Sequence, residues 1–389
     1  MEPEAIVASR RQPEAGSPAA TPGSLEPWAG TPYMRLVQER SRLVAPPTQC
    51  PLVLDARMIA LPMSTLLAVL RPALSSVNKK LTRAVVLYPT MPFMAVEKQI
   101  GLERWLRGRE QCQKLAAADA VIVSFGKSGR TWLRVLISRF YQLEYGLPEW
   151  LIGFDNFHYL NRAIPKIFFT HDNYVKDYSG NHDNKADYYG KKVVLLARHP
   201  ADVAVSQYHQ WRYRMRDRKK TINAYPEEDV SIFDFVLKHP AGLEKTIDFM
   251  NGWARERDRL GTFMILRYED LKADTAGRLD EITRFIGTPG DRASLEGAVA
   301  YASFENMRKL ETANKSWLTG GRMKAKDPTN PESFKTRRGK VGGFRDYFDD
   351  AEAEAILDYI DAHLDPVFGY GRQTERPETP ASETLAASA

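Results

Sequence analysis

Six consecutive residues, Gly126-Lys127-Ser128-Gly129-Arg130-Thr131, bring together two glycines, a lysine, an arginine and two hydroxyls. Glycine lets backbone approach a ligand, and amides freed in a turn that opens a helix point outward and favour an anion. A phosphate is the economical ligand for such a turn. The nucleotide-binding pattern GxxxxGK[ST] is half met, because Gly126, Lys127 and Ser128 fit but Val121 stands where the first glycine belongs. A metal-dependent kinase would also carry a carboxylate at the end of a neighbouring strand to hold Mg²⁺. The apolar run 193–197 ends instead in Arg198, which suits an anionic ligand bound without a bridging metal. Arg337, Arg338 and Lys340 flank Gly339 in a second basic stretch, and Arg212, Arg214, Arg216, Arg218, Lys219 and Lys220 form a denser run that reads as a solvated face, with docking of an anionic acceptor as the alternative.

The elements that must position these residues are legible from periodicity. AVIVS at 120–124 is a short β-branched run leading into the turn, and 131–142 carries apolar residues at helical spacing. IFFT at 167–170 is a second apolar run, and VVLLA at 193–197 leads through Arg198-His199-Pro200 into a helical 201–211. TFMILR at 262–267 leads through Tyr268-Glu269-Asp270-Leu271 into a helix near 278–286. Continuous apolar strands alternating with helices predict an α/β fold with a parallel β-sheet flanked by helices on both faces. Ligands of such sheets bind beyond the carboxyl ends of the strands, where the turn and Arg198 lie.

Composition excludes other classes. In 389 residues, 43% hydrophobic and 27% charged, neither wholesale disorder nor a collagen-like repeat fits. Lys plus Arg at 55 against Asp plus Glu at 49 gives a net +6, an excess that attracts anions without marking a nucleic-acid protein. Two cysteines, Cys50 and Cys112, exclude a disulfide framework and a cysteine zinc site. With no signal-peptide pattern, the expectation is a soluble, cytoplasmic protein. The apolar stretch 58–70 is 13 residues long, short of the roughly 20 that span a bilayer. It reads as a core helix or, given Lys79, Lys80 and Arg83 beyond it, as an interfacial segment for peripheral membrane contact. The expected organisation is a Pro/Ala-rich disordered tail at 1–48, a mostly helical extension at 49–115, the main domain at 116–372 and a disordered tail at 373–389.

The turn Ser124-Phe125-Gly126-Lys127-Ser128-Gly129-Arg130-Thr131-Trp132-Leu133 resembles the 5′-phosphosulfate loop of the sulfotransferases that use 3′-phosphoadenosine 5′-phosphosulfate (PAPS). Arg198-His199-Pro200-Ala201-Asp202-Val203-Ala204-Val205-Ser206 resembles their 3′-phosphate motif. Tyr268-Glu269-Asp270-Leu271, Ser303-Phe304-Glu305-Asn306-Met307 and Arg337-Arg338-Gly339-Lys340-Val341-Gly342 follow in family order, so the resemblance spans about 118–350. It implies a P-loop-like turn in which Lys127, Ser128, Gly129, Arg130 and Thr131 cradle the 5′ end of PAPS. It also implies that Arg198, Ser206, Arg337, Arg338 and Gly339 hold the 3′-phosphate, that Trp132 and Phe304 sandwich the adenine, and that Tyr268 contacts the nucleotide. By the same resemblance His171 is the general base for a hydroxyl acceptor, Lys127 stabilises the leaving phosphate, and no metal is required.

Departures from the family pattern set further expectations. Phe169 stands where the family carries a second active-site lysine, so stabilisation of the transferring group would be weaker here or be supplied by Arg130. His199, in a position usually Asn, is the second choice for the base, and the dimer motif of the animal cytosolic branch is missing after Phe344. The acceptor, a sugar, a glycolipid or a phenol, should be shaped by 155–185, 210–230 and 308–335. A metal-dependent P-loop kinase and a non-catalytic polyanion-binding protein are the alternatives.

Overall fold

Four short strands are found among the described residues: β1 (Ala120–Ser124), β2 (Ile167–Thr170), β3 (Lys192–Ala197) and β4 (Phe263–Arg267). They form one parallel sheet in the order β2-β1-β3-β4, with Ile122 level with Phe169 on one side and Val194 on the other. Every residue of β1 is buried because the sheet is covered twice. Ala120, Ile122, Val194 and Leu196 point into one apolar layer with helices α2 (Arg130–Glu144), α5 (Thr275–Ile286) and α6 (Arg292–Tyr301). Val121, Val123, Val193 and Leu195 point into the opposite layer, with α1 (Val96–Ala116) and α4 (Leu243–Arg255). The period-two alternation of a strand thus serves two layers at once. Each fully buried Val, Leu or Ile contributes about 1.5–3 kcal/mol.

In the computed structural model the described residues are 91–372, apart from 153, 154, 156, 227, 228 and 313–328, together with 74, 77–79, 81–87 and 89. All lie within one of two compact units, Pro62–Ala389. The expected tails and the 58–70 stretch fall outside the described residues. Among those described, no helix is long and apolar enough to cross a membrane.

The strand order places a switch point between β1 and β3, since the chain leaves β1 towards β2 and returns to its other side as β3. Crevices open at such points beyond the carboxyl ends of the strands. There β1 delivers the glycine-rich turn, and β3 delivers Arg198 and α3 (Pro200–Tyr213). A third apolar cluster backs α3 with α4 and α8 (Asp350–His363) through Ala204, Val205, Ile247 and Ile356.

Helix α1, in the described part of the extension, packs into the layer behind the sheet. In α1, Gly108 sits where a Cβ would fall 2.3 Å from the Tyr174 carbonyl oxygen, and Leu115 joins the core. Its buried Glu103 pairs with Arg107 at 2.7 Å and with Arg218 at 2.8 Å.

Candidate active site

The glycine-rich turn is held in a conformation that needs its sequence. Lys127 has φ +76° and Gly129 has φ +93°, the left-handed region that glycine adopts freely and lysine does not. A side chain at Gly129 would also collide, because its Cβ would lie 2.6 Å from the Tyr268 ring. Gly129 caps α2, and its carbonyl accepts the amides of Trp132 and Leu133 at 2.9 and 3.2 Å. The earlier amides of that helix, those of Arg130 and Thr131, lie in the first turn where the helix dipole favours an anion. No acidic side chain occupies that first turn. Desolvation, together with the like charges of Arg214, Lys335 and Arg337, pulls the Lys127 ammonium down to about 7. A non-glycine residue held at positive φ with a destabilised charge is a mark of function.

Arg198 bridges the two sequence motifs. Its Nη1 donates to the Lys127 carbonyl at 3.3 Å, and its Nη2 donates to Asp202 at 3.1 Å and to the Lys340 carbonyl at 3.3 Å. The guanidinium also lies 4.6 Å from the centre of the Tyr268 ring. Ser206 is half-buried two turns further along α3. The 337–340 segment is therefore linked to the turn through the Lys340 carbonyl. Their charges are not bare, however. Arg337 donates to Glu332 at 3.0 Å and to the Tyr347 hydroxyl at 2.7 Å, while Arg338 and Lys340 share Asp346 at 3.0 and 2.7 Å.

Tyr268 packs on the turn at Gly129 and Trp132 packs on Tyr268, while Phe304 packs on the basic segment. Trp132 donates its indole N–H to the Ala302 carbonyl at 2.9 Å and meets the Tyr268 ring edge-on at 5.7 Å. Phe304 opens α7 (Phe304–Thr312) as an exposed ring lying against Gly339. Gly339 has φ +62°, and a Cβ there would come within 2.9 Å of Phe304. Two glycines thus leave the space beside two of the aromatic rings.

His171 follows the end of β2, and its Nδ1 lies 2.8 Å from the carbonyl oxygen of Ser124, the residue from which the turn departs. A carbonyl only accepts, so Nδ1 carries the proton and Nε2 keeps its lone pair. Desolvation and the positive charge of Arg130 hold the imidazole well below its ordinary range, against the pull of the Ser124 carbonyl, and Arg134 and Lys219 add to the depression. The ring is a neutral acceptor beside a cluster of cations. His199, the second choice, is a packing residue: its buried ring stacks on Phe344 at 5.1 Å and meets Tyr370 edge-on. Opposite Phe169, whose position lacks the family lysine, the Arg134 guanidinium lies 4.2 Å from the ring centre and pairs with Asp155 at 2.5 Å. The cation lying over that ring is Arg134, one helical turn beyond Arg130.

Two residues that sequence reasoning left without a role organise the basic segment. Asp202 accepts the amides of Gly342 and Phe344 at 3.1 and 2.9 Å besides pairing with Arg198. Glu311, buried, accepts the amides of Lys335 and Thr336 at 2.6 and 2.9 Å and pairs with Arg214 at 3.2 Å. Asp202 stood four residues after Arg198, a helical pairing distance. Glu311 had no such signal. The 212–220 run is the solvated face its composition predicts only in part: Arg212, Arg216 and Lys219 are exposed, whereas Arg214 and Arg218 pair with the buried Glu311 and Glu103 from other segments.

The sequence profile of the sulfotransferase domain matches residues 117–368. This chain belongs to that family. Among sulfotransferase relatives it is 25% identical over 253 residues to sulfotransferase 2A6 of Rattus norvegicus, covering 61% of this chain and 81% of that protein. It is also 25% identical over 295 residues to human sulfotransferase 2B1, covering 73% and 75%. Among solved structures it resembles mouse sulfotransferase SULT7A1 complexed with PAP, at TM-score 0.43 and 21% identity, covering 65% of this chain and 89% of that one. Retinol dehydratase in complex with androsterone and PAP gives TM-score 0.42 and 18% identity, covering 63% and 80%.

Proposed function

We propose that this sulfotransferase uses PAPS as donor and a hydroxyl compound as acceptor, with His171 as general base and Lys127 on the leaving phosphate. One observation carries the reading: an imidazole whose Nδ1 is committed to the Ser124 carbonyl at 2.8 Å stands at the head of a phosphate turn that also presents a destabilised lysine. The residues present fit the donor, because Gly129 and Gly339 leave open the space that side chains would fill beside Tyr268 and Phe304. When bound, PAPS supplies an activated sulfuryl group.

The chain's own residues do the rest. The amides of Ser128 to Thr131 orient the 5′ end at the start of α2, with Arg130 beside it. Arg198 and Ser206, reached from β3 and α3, hold the 3′-phosphate with Arg337, Arg338 and the Gly339 amide. Trp132 and Phe304 bracket the base, and Tyr268 forms the floor against which the turn packs. His171 Nε2 takes the proton from the acceptor hydroxyl, a contribution of roughly 10²–10⁴ in rate. The Lys127 ammonium stabilises charge on the departing phosphate, a preorganised effect that grows where water is excluded. Without a bridging metal, these cations carry the neutralisation. The acceptor class remains a sugar, a glycolipid or a phenol approaching past Phe169 and Arg134.

Calorimetric titration with 3′-phosphoadenosine 5′-phosphate (PAP) in metal-free buffer, beside ATP with Mg²⁺, tests this reading. Tight binding of PAP alone is the expected result. Preference for Mg-ATP would overturn the donor.

A further inference from the structure

The residue after the base is strained and doubly held. Asp172 has φ +52°, one of three positive-φ residues other than glycine among those described, and it is buried. Aspartate tolerates this region better than most side chains, yet the conformation persists only where the surroundings over-determine it. Here they do. The Asp172 amide donates to the Thr170 hydroxyl at 2.9 Å, closing a tight turn around His171. Lys185 Nζ donates to one carboxylate oxygen at 2.6 Å and the Tyr188 hydroxyl donates to the other at 2.7 Å. Both holders rest on Trp253: the Lys185 ammonium lies 4.9 Å from its ring centre, and Tyr188 meets it edge-on at 4.9 Å. Trp253 is fully buried in the layer behind the sheet.

The base is therefore fixed from two directions. Its ring is tied to β1 through the Ser124 carbonyl, and its backbone is tied to the core through Asp172. We propose that Asp172 is a positioning residue whose doubly held carboxylate fixes the 170–172 turn, and with it the direction of His171 Nε2. The proposal rests on the reading of His171 as base. A clamp serving stability alone would leave the imidazole as it is in any variant that folds. A positioning clamp would not, because misplacement by about 1 Å costs roughly 100-fold in rate.

The test uses the full chain with ¹⁵N-labelled histidine, His171 being assigned by the signals lost in His171→Ala. The parent should show a single neutral tautomer protonated at Nδ1. Asp172→Gly keeps the backbone angle and removes the carboxylate, while Tyr188→Phe keeps the packed ring and removes one holder. Both variants should show averaging of the two His171 tautomers, with PAP affinity within about twofold of the parent. PAP release from PAPS with phenol as acceptor should fall roughly 100-fold in the first variant and less in the second. Should Asp172→Gly fail to fold, Tyr188→Phe decides. An unchanged His171 spectrum in the folded variants, with His171→Ala inactive, overturns the positioning role alone. A His171→Ala protein as active as the parent removes the base reading and this proposal with it.

Discussion

Two walls meet at Arg198 and are built on different principles. The turn at 124–131 is a backbone device: a fully buried strand aims it, two positive φ angles shape it, and the start of α2 supplies its amides. The segment at 332–344 is a side-chain device, in which Glu332 and Asp346 hold nearby cations, while Asp202 and Glu311 hold amides that lie far from them in sequence. The first wall keeps its shape because covalent geometry and packing leave it no alternative. The second keeps its shape through charge balance, so an anion arriving there would have to exchange partners with the carboxylates. Stiffness comes from the backbone, and adjustability from the ion pairs.

The largest effect should come from the rigid wall. Lys127→Met is expected to lower turnover by about 10²–10³-fold, the usual loss when one preorganised electrostatic group is removed. The same change should raise the melting temperature at pH 7, because it deletes a desolvated cation among like charges. Thermal melts beside kinetics check both, and lower stability with unchanged turnover would break the contrast.

The pH dependence sharpens it further. The Lys127 pKa is depressed to about 7 in the free protein, and an anionic ligand favours the protonated form. PAP binding should therefore take up a proton above pH 7, with affinity falling as pH rises from 6 to 9. Titration in two buffers of different ionisation enthalpy reads the uptake directly, and Lys127→Met should abolish it.

Asp202→Asn attacks the adjustable wall at its anchor. It should weaken PAP roughly tenfold and destabilise the fold by about 1–3 kcal/mol, the range for a buried polar group left unsatisfied. The proton uptake assigned to Lys127 should survive; losing it as well would mean that the walls are one unit. The smallest change is Arg338→Ala, at an exposed residue. PAP affinity should drop only a few-fold in 50 mM salt, with the difference closing near 0.5 M as screening takes over. A salt-independent loss would show that Arg338 is less screened than its exposure implies.

The same division explains what could be read from the chain. β1, the turn and α2 follow from contiguous residues, and the helix expected at 131–142 runs over Arg130–Glu144. Strands expected at 193–197 and 262–267 appear at Lys192–Ala197 and Phe263–Arg267. Each of these elements is decided by local periodicity and by burial on both faces of one sheet. Glu311 escaped notice because its partners stand 24 and 25 residues away, and the Ser124 carbonyl because backbone oxygens carry no residue signature. The basic run at 212–220 was legible only in part for a related reason: the buried carboxylates that hold Arg214 and Arg218 reach them through tertiary structure. His199 sat in a motif and beside Arg198, yet Phe344 and Tyr370 claim its ring.

The family match begins at residue 117, but α1 ends at Ala116 and belongs to the same packed layer. Gly108 lies close under Tyr174, and Glu103 neutralises Arg218 on the basic run. Recombinant boundaries drawn where family similarity starts would cut through a folding unit, uncovering the Val175 side of the sheet and leaving Arg218 without its carboxylate. For this sulfotransferase the catalytic signature and the stable body have different edges, and the longer of the two is the one to express.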